Sequence, residues 1–321
     1  YTRKMCPRER ERLGTRRCDE GAVHIPPDSL ARDPPNLDAL LGPWIRTPAQ
    51  LAAAFAAASP MPHIVIDNFF AEPVARRLAA EFPDADAGAL WHVYDNPLER
   101  KRACSDTSKM PTPMRDAVLA LCGPSVVEAM RLITGVAADA ALQADPYCHG
   151  GGLHAHSAGG KLDLHRDYSR HPVSGLERRF NLIVYLSEAW RDEYGGALEL
   201  WAADERDAAQ PGKLGACVAP LFNRAVLFDT AAPAFHGFPR PITPPTSVER
   251  RSIALYYLTP PRPTAPDRPK ATYVATPGDA PDPRLDELRA LRSLRRLESA
   301  DCVDVDARAR DAARAVDSGG E

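Results

Sequence analysis

The sequence predicts an α+β domain in which short strands form a sandwich or barrel and N-terminal helices pack on one face. Two observations carry this. Ala- and Leu-rich segments with helix start signals dominate up to about Thr134. After Asp145, short β-branched and aromatic runs recur at regular spacing between Gly and Pro turn signals, the pattern of an all-β layer rather than of alternating βαβ units. No internal repeat is visible.

Taken in order, residues 1–36 are charged, Arg-rich and Pro-rich, and read as an irregular tail. The basic run Arg8–Arg17 reads as a solvated stretch. Leu37–Ala58 suggests helix, with Thr47-Pro48 as a start signal. Pro62–Phe70 reads as a strand, and Ala71–Phe82 as a helix with Leu78 and Phe82 one turn apart. Trp91–Pro111 is mixed. Pro113–Leu121 and Ser125–Thr134 read as two helices broken at Gly123-Pro124. Seven strands are then expected: 150–157, Lys161–His165, Arg179–Ser187, Ala197–Trp201, Ala216–Pro220, Arg224–Thr230 and Arg250–Leu258. The domain spans 37–260, with its β core at about 146–260. Residues 261–321 hold a Pro-rich segment and a helix over Pro283–Glu298. Its leucines recur every third residue, which drifts around a 3.6-residue turn, so the helix reads as one docked on the domain surface or as support for a homodimer.

Composition narrows the function. The 321 residues are 44% hydrophobic and 26% charged, ordinary for a globular chain. A net charge of -3 gives no bulk attraction to nucleic acid. No run reaches the roughly 18–20 apolar residues that span a bilayer, so no membrane partner is expected. The opening Tyr1-Thr-Arg-Lys-Met has no apolar run of the kind that heads a signal peptide. The seven Cys (6, 18, 104, 122, 148, 217, 302) are odd in number and form no C-x-x-C pair. That argues against a disulfide framework and for a reducing, cytoplasmic setting.

The chemistry concentrates in Leu162-Asp-Leu-His-Arg-Asp-Tyr168. On a strand, residues two apart point to the same side, so His165 and Asp167 offer an imidazole and a carboxylate to one point. His236 would complete a set of two nitrogens and one oxygen, the 2-His-1-carboxylate face of non-heme Fe(II) oxygenases. Such a set also accepts other divalent metals. His149, His171 and Cys148 lie nearby in sequence, but their spacing supports no zinc site. Lys101 and Lys109 fall in a stretch that could edge a site, and both read as solvated. Gly195-Gly196 reads as a tight turn into a strand.

These motifs fall in a recognisable order: Gly150-Gly-Gly-Leu-His-Ala-His156, Leu164-His165-x-Asp167, Arg179-Phe-Asn-Leu-Ile-Val-Tyr-Leu-Ser187, Gly195-Gly-Ala-Leu-Glu-Leu200, Phe228-x-Thr230, His236-Gly-Phe and Arg250-x-Ser252. Over about residues 62–260 the chain resembles the prolyl 4-hydroxylase-like branch of the 2-oxoglutarate and Fe(II)-dependent dioxygenases. The resemblance implies a double-stranded β-helix (jelly-roll) core, Fe(II) on His165, Asp167 and His236, and 2-oxoglutarate and O2 as cosubstrates. It implies a basic residue on the last core strand for the far carboxylate of 2-oxoglutarate. Arg250 is the choice, with Ser252 on the same strand face, Arg240 as a rival and Arg251 on the opposite, solvated face. His156 stands where relatives often carry a cosubstrate-contacting Tyr, and Asn181 and Tyr185 share one strand face toward the pocket. His154 shares a face with His156. Asp167 points to hydroxylation, because related halogenases lack that carboxylate. Some relatives use ascorbate. The substrate implied is a peptidyl-proline, a free amino acid or another small molecule. A non-catalytic jelly-roll binding module and a cupin-like enzyme of different ligand spacing are the alternatives from other classes.

Overall fold

The computed structural model describes residues 33–34 and 36–303. The basic run, Cys6, Cys18, most of the tail expected over 1–36 and the stretch from Val305 on lie outside the described residues.

The expected helix over 37–58 divides into pieces. Short α-helices form at Leu37–Leu40 (α1) and Ala52–Ala57 (α2), with 3-10 turns at Pro43–Arg46 and Pro48–Leu51 between them. Pro43 and Pro48 each remove a backbone donor and push the preceding residue out of the helical region, so no single helix can run through. Helices α3 (Glu72–Ala80), α4 (Thr112–Leu121) and α5 (Pro124–Thr134) follow the sequence reading closely. Pro124 opens α5 at its first turn, and Gly135 (φ 67°) ends it in the left-handed conformation that glycine adopts without a Cβ clash. The C-terminal helix α6 covers only Pro283–Arg292. Asp282 caps it by accepting from the Arg284 N–H.

Thirteen strands among the described residues form one sheet, ten of them on a continuous path, with β2, β4 and β13 pairing from the side. They are β1 (His63–Ile66), β2 (His92–Asp95), β3 (Glu99–Cys104), β4 (Gln143–Ala144), β5 (Gly152–His156), β6 (Lys161–Arg166), β7 (Glu177–Tyr185), β8 (Leu198–Ala203), β9 (Pro211–Val218), β10 (Ala225–Asp229), β11 (Ala234–Phe238), β12 (Arg250–Thr259) and β13 (Thr272–Tyr273). The order is β1-β10-β7-β12-β5, then β3 as a bridge, then β6-β11-β8-β9, with neighbours antiparallel. From β5 to β12 the chain alternates between the two halves except at the β8–β9 hairpin, which stays in one half; this is the jelly-roll winding.

Several expectations need correction. Helices do not all precede strands: β1, β2 and β3 lie among them, and β1 pairs with β10. Strands β2 and β3 form a hairpin in the stretch read as mixed, and β11, which carries His236, was not expected as a strand. The fifth expected strand lies earlier, over Pro211–Val218. Two of these deviations, the β2–β3 hairpin and β11, share one physical source. The strand residues Glu99, Arg100, Lys101 and Arg102 are charged, and Gly237 interrupts β11, so local composition hides pairing that tertiary contacts impose.

Alternation along β12 positions the site. Ile253, Leu255 and Tyr257 join Val118, Leu121, Phe180 and Leu182 in the large core beneath the helices. The Tyr257 hydroxyl donates to the Leu121 carbonyl at 3.1 Å, tying the sheet to α4. Arg250, Ser252, Ala254 and Tyr256 alternate with these and face the opposite side, still buried. No single described helix is long and apolar enough to cross a bilayer; the bent pair α4–α5 that meets the composition test buries its apolar face in this core. No disulfide forms among the described residues.

The segment after residue 260 packs against the sheet. Leu288 and Leu297 form a small cluster with Leu98, Ala271 and Tyr273, and Leu285 and Leu291 lie against it. The leucines considered for dimerisation are thus covered within the chain, and Leu294 alone stays 75% exposed.

Candidate active site

His165 and His236 are directly opposed residues of β6 and β11. Asp167 follows β6 by one residue. The three side chains bring one ligand atom each within 4.8 Å of one another, and all are buried. His165 Nε2 lies 3.6 Å from Asp167 Oδ1, and His236 Nε2 lies 3.6 Å from Asp167 Oδ2. His165 Nδ1 is 2.9 Å from the Asp163 carbonyl oxygen, which only accepts. The proton must therefore be on Nδ1, leaving the Nε2 lone pair directed at the cluster. Gly237 lets the β11 backbone reach this strand: a Cβ there would stand 2.8 Å from the carbonyl oxygens of Leu162 and Asp163.

Electrostatics fit the donor set. Burial, then the neighbouring His165, push His236 down to about 3, so its imidazole is neutral and its nitrogen is a competent ligand. Burial alone would raise Asp167, but His236, His165 and Arg178 beside it hold the carboxylate well below the usual range. Two imidazoles and one carboxylate in a buried corner suit a divalent cation.

Arg250 is the second feature. It is 3% exposed. Its Nε donates to the Gly196 carbonyl at 2.9 Å and a terminal nitrogen to the Tyr185 hydroxyl at 3.3 Å. Its guanidinium lies 4.3 Å from the Phe238 ring centroid. Among the described residues no carboxylate lies within ion-pair reach of Arg250. A buried guanidinium without an anion is costly, so the pocket is built for an acidic guest. Gly196, at φ 72°, supplies the carbonyl that aims Arg250; a Cβ there would press on Ile242 and Arg250. The glycine pair expected as a tight turn therefore also positions the guanidinium.

The other predicted residues fall as follows. Ser252 is opposite Tyr185, and Arg250 is opposite His156, in neighbouring ladders of β12. Asn181 pairs with Tyr256 in the same ladder. Ser252, His156, Tyr185 and Asn181 are all buried. No side chain answers either ring nitrogen of His156, and the Asn181 Oδ1 has no partner among the described residues. Burial, followed by Arg250 and Lys101, keeps His156 far below its ordinary value, hence neutral. His154 is also pushed down, to about 3, by burial first.

Three expectations are overturned. Arg240 is exposed and paired with Asp279, which removes it as a rival. Arg251 is not simply solvated, since it lies 3.5 Å from both Asp84 and Glu249. Lys101 is also not solvated: its side chain is 14% exposed, with Nζ 3.2 Å from the buried Glu99. Lys109 remains exposed.

Sequence reasoning missed several neighbours. The Tyr256 hydroxyl donates to Asp167 Oδ2 at 3.0 Å. Arg178 is stacked between the rings of Tyr168 and Tyr256, at 3.6 and 3.5 Å. Tyr273 stacks on His165, and the Arg268 Nε donates to the Asp167 carbonyl at 3.1 Å. Tyr256 was within reach, being six residues after Arg250 and on the same strand face. Spacing also missed a second cluster, Asp145, His149 and His171. Here the Ser174 N–H donates to His171 Nδ1 at 3.0 Å, so the His171 proton is on Nε2 and points to His149 Nδ1, 3.0 Å away. Asp145 accepts the backbone N–H groups of Tyr147 and His149. That network is satisfied as it stands and leaves no His171 lone pair for a metal.

Residues 151–258 match the model of the 2OG-Fe(II) oxygenase superfamily, a span that holds His165, Asp167, His236 and Arg250. This region is similar to a 2OG-Fe(II) oxygenase domain. The chain is also similar to a prolyl 3-hydroxylase, OGFOD1, of Xenopus laevis, 37% identical over 59 residues. That stretch is 18% of this chain and spans only 11% of the relative's length. Among solved structures, a prolyl-4-hydroxylase of Pseudomonas putida aligns at 17% identity over 65% of this chain and 99% of its own, with a TM-score of 0.46. A prolyl hydroxylase of Trichoplax adhaerens, in complex with a hypoxia inducible factor oxygen degradation domain peptide fragment, aligns at 14% identity. It covers 67% of this chain and 92% of its own, with a TM-score of 0.48.

Proposed function

We propose that the chain is an Fe(II)- and 2-oxoglutarate-dependent dioxygenase that hydroxylates a C–H bond of a prolyl residue in a peptide. The observation that carries the reading is the pairing of two incomplete features on adjoining walls: a buried His-Asp-His donor set and a buried Arg250 without an anion. His165 Nε2, Asp167 and His236 Nε2 would hold Fe(II) and leave positions open opposite them. Arg250 would receive the far carboxylate of 2-oxoglutarate in the fork geometry that guanidinium favours, with Ser252 and Tyr185 beside it. His156 and Asn181, with polar atoms that the chain itself leaves unanswered, would line the same pocket.

When bound, iron, 2-oxoglutarate and O2 supply the oxidative chemistry, which yields succinate, CO2 and a hydroxylated product. The chain's residues orient the guests and exclude water. Ascorbate enters this proposal as the reductant that keeps the metal ferrous. The prolyl assignment is supported by the partial similarity to a prolyl 3-hydroxylase.

The test is succinate formation by purified protein with Fe(II), 2-oxoglutarate, ascorbate and air, with and without proline-containing peptides, beside Asp167→Ala. Peptide-stimulated succinate from the wild type, absent in the variant, is the expected result. Stimulation by free proline alone would replace the peptide assignment with a small-molecule one. Failure of the wild type to bind either Fe(II) or 2-oxoglutarate would sink the reading and leave a non-catalytic module.

A further inference from the structure

We infer that Tyr256 is a positioning residue that holds Asp167 as a one-oxygen ligand and so keeps a position free for dioxygen. The inference rests on the metal reading above. An ionised carboxylate accepts but cannot donate, so the 3.0 Å contact must be the phenol O–H giving to Asp167 Oδ2. Both oxygens face the cluster, Oδ1 at 3.6 Å from His165 Nε2 and Oδ2 at 3.6 Å from His236 Nε2; the phenol occupies a lone pair of Oδ2 and leaves Oδ1 as the oxygen with both free to ligate. The consequence is one of ligand number. Two imidazoles and one carboxylate oxygen leave three positions on an octahedral ion. A chelating 2-oxo acid would take two, and dioxygen would need the third. A carboxylate that swung to bind through both oxygens would remove it.

The surroundings hold the phenol in place. The Tyr256 side chain is buried, and its residue pairs with Asn181 across the β12–β7 ladder. The Arg178 guanidinium carbon is 3.5 Å from its ring centroid and 3.6 Å from that of Tyr168. A cation on the ring face fixes the ring plane and strengthens the O–H as a donor. Arg178 is anchored in turn by the His149 carbonyl and the Tyr168 hydroxyl. Asp167 is also held from the backbone side, by Arg268 on its carbonyl. The carboxylate thus has little freedom except rotation about its last bond, which is the rotation that Tyr256 blocks.

Tyr256→Phe isolates the hydroxyl, because the ring and its stack on Arg178 are kept. Nitric oxide serves as the probe of the free position on protein loaded with Fe(II) and 2-oxoglutarate, read by electron paramagnetic resonance. We expect nitric oxide to bind the variant about tenfold more weakly than the wild type, in line with the effect of outer-shell partners on metal sites. Tyr257→Phe is the control: it removes a hydroxyl one residue along, on the helix-facing side, where it donates to Leu121. It should bind nitric oxide as the wild type does. Equal nitric oxide affinity in Tyr256→Phe and wild type would overturn the role of Tyr256 while leaving the metal site intact. A wild type that binds no Fe(II) would overturn both.

Discussion

The rings of Tyr273 and His165 stack with centroids 5.0 Å apart and planes within 18° of parallel. Tyr273 comes after the last long strand, in Pro-rich sequence, yet β13 pairs residue for residue with β6. The same stretch supplies Arg268 to the Asp167 backbone. Residues beyond 260 therefore form a wall of the His165–Asp167–His236 cluster. Tyr273→Ala should lower Fe(II) affinity by about 10–100-fold, the usual cost of removing an outer-shell support. Isothermal titration with Fe(II) under argon measures this directly. An affinity equal to wild type would reduce the segment to mere packing.

Arg250 has a different signature. Under the proposed function it would hold the cosubstrate and not the metal, so Arg250→Ala should leave Fe(II) binding intact. The 2-oxoglutarate KM should rise by about 10–100-fold, the worth of one charge-assisted contact of roughly 1.5–3 kcal/mol. Arg250→Lys should recover part of it, since an ammonium restores the charge but not the fork. Succinate formation against 2-oxoglutarate concentration separates these outcomes. An unchanged KM in Arg250→Ala would place the far carboxylate elsewhere.

How much of this was legible in the sequence depends on which residues carry it. His165 and Asp167 were readable because strands repeat every two residues, so spacing fixes which side chains share a face, whereas Arg250 was singled out by the family resemblance and not by spacing. The helices α4 and α5 were readable because Gly123-Pro124 punctuates them. The hairpin of β2 and β3 was not, since Glu99-Arg-Lys-Arg102 looks like a solvated charge run. It is a strand because Glu99 and Lys101 turn inward as a pair and Arg102 meets the partly buried Glu249 on the other face. Tyr273 and Arg268 were out of reach for another reason: nothing local says that a Pro-rich connector returns to pair with β6. Contacts distant in the chain leave no periodic trace.

The opposite face of β12 offers a stability test that spares the site. Leu255 is fully buried between the sheet and the helices, while its neighbours Ala254 and Tyr256 face the other way. Leu255→Ala should cost about 2–5 kcal/mol, a transfer loss plus a cavity. Urea denaturation should show that loss as a lower midpoint at an unchanged slope. The 2-oxoglutarate KM of the variant, measured well below its midpoint, should match wild type. A large KM change would mean that the two faces of the strand are mechanically coupled.

Glu99 is a buried carboxylate that should contribute to the acid limit of the fold. It is 1% exposed, 2.9 Å from Arg292 on α6 and 3.2 Å from Lys101. Burial works to raise its pKa, but Lys101 and Arg292 more than offset this and hold it at about 2, against an ordinary value of 4.5. A carboxyl whose pKa is lower in the folded state contributes stability that is fully present above its unfolded pKa. That contribution fades as pH drops from about 4.5 toward 2. Chemical denaturation at a series of pH values should therefore show wild-type stability falling steeply across this window. Glu99→Gln cannot titrate, so it should be less stable at pH 7 and show a shallower fall over the same range. Parallel curves for the two proteins would mean that other carboxylates, and not the Glu99–Lys101–Arg292 group, govern acid unfolding. The Gln variant should also loosen α6 from β3, which limited proteolysis near Arg292 at pH 7 would report as faster cleavage than in wild type.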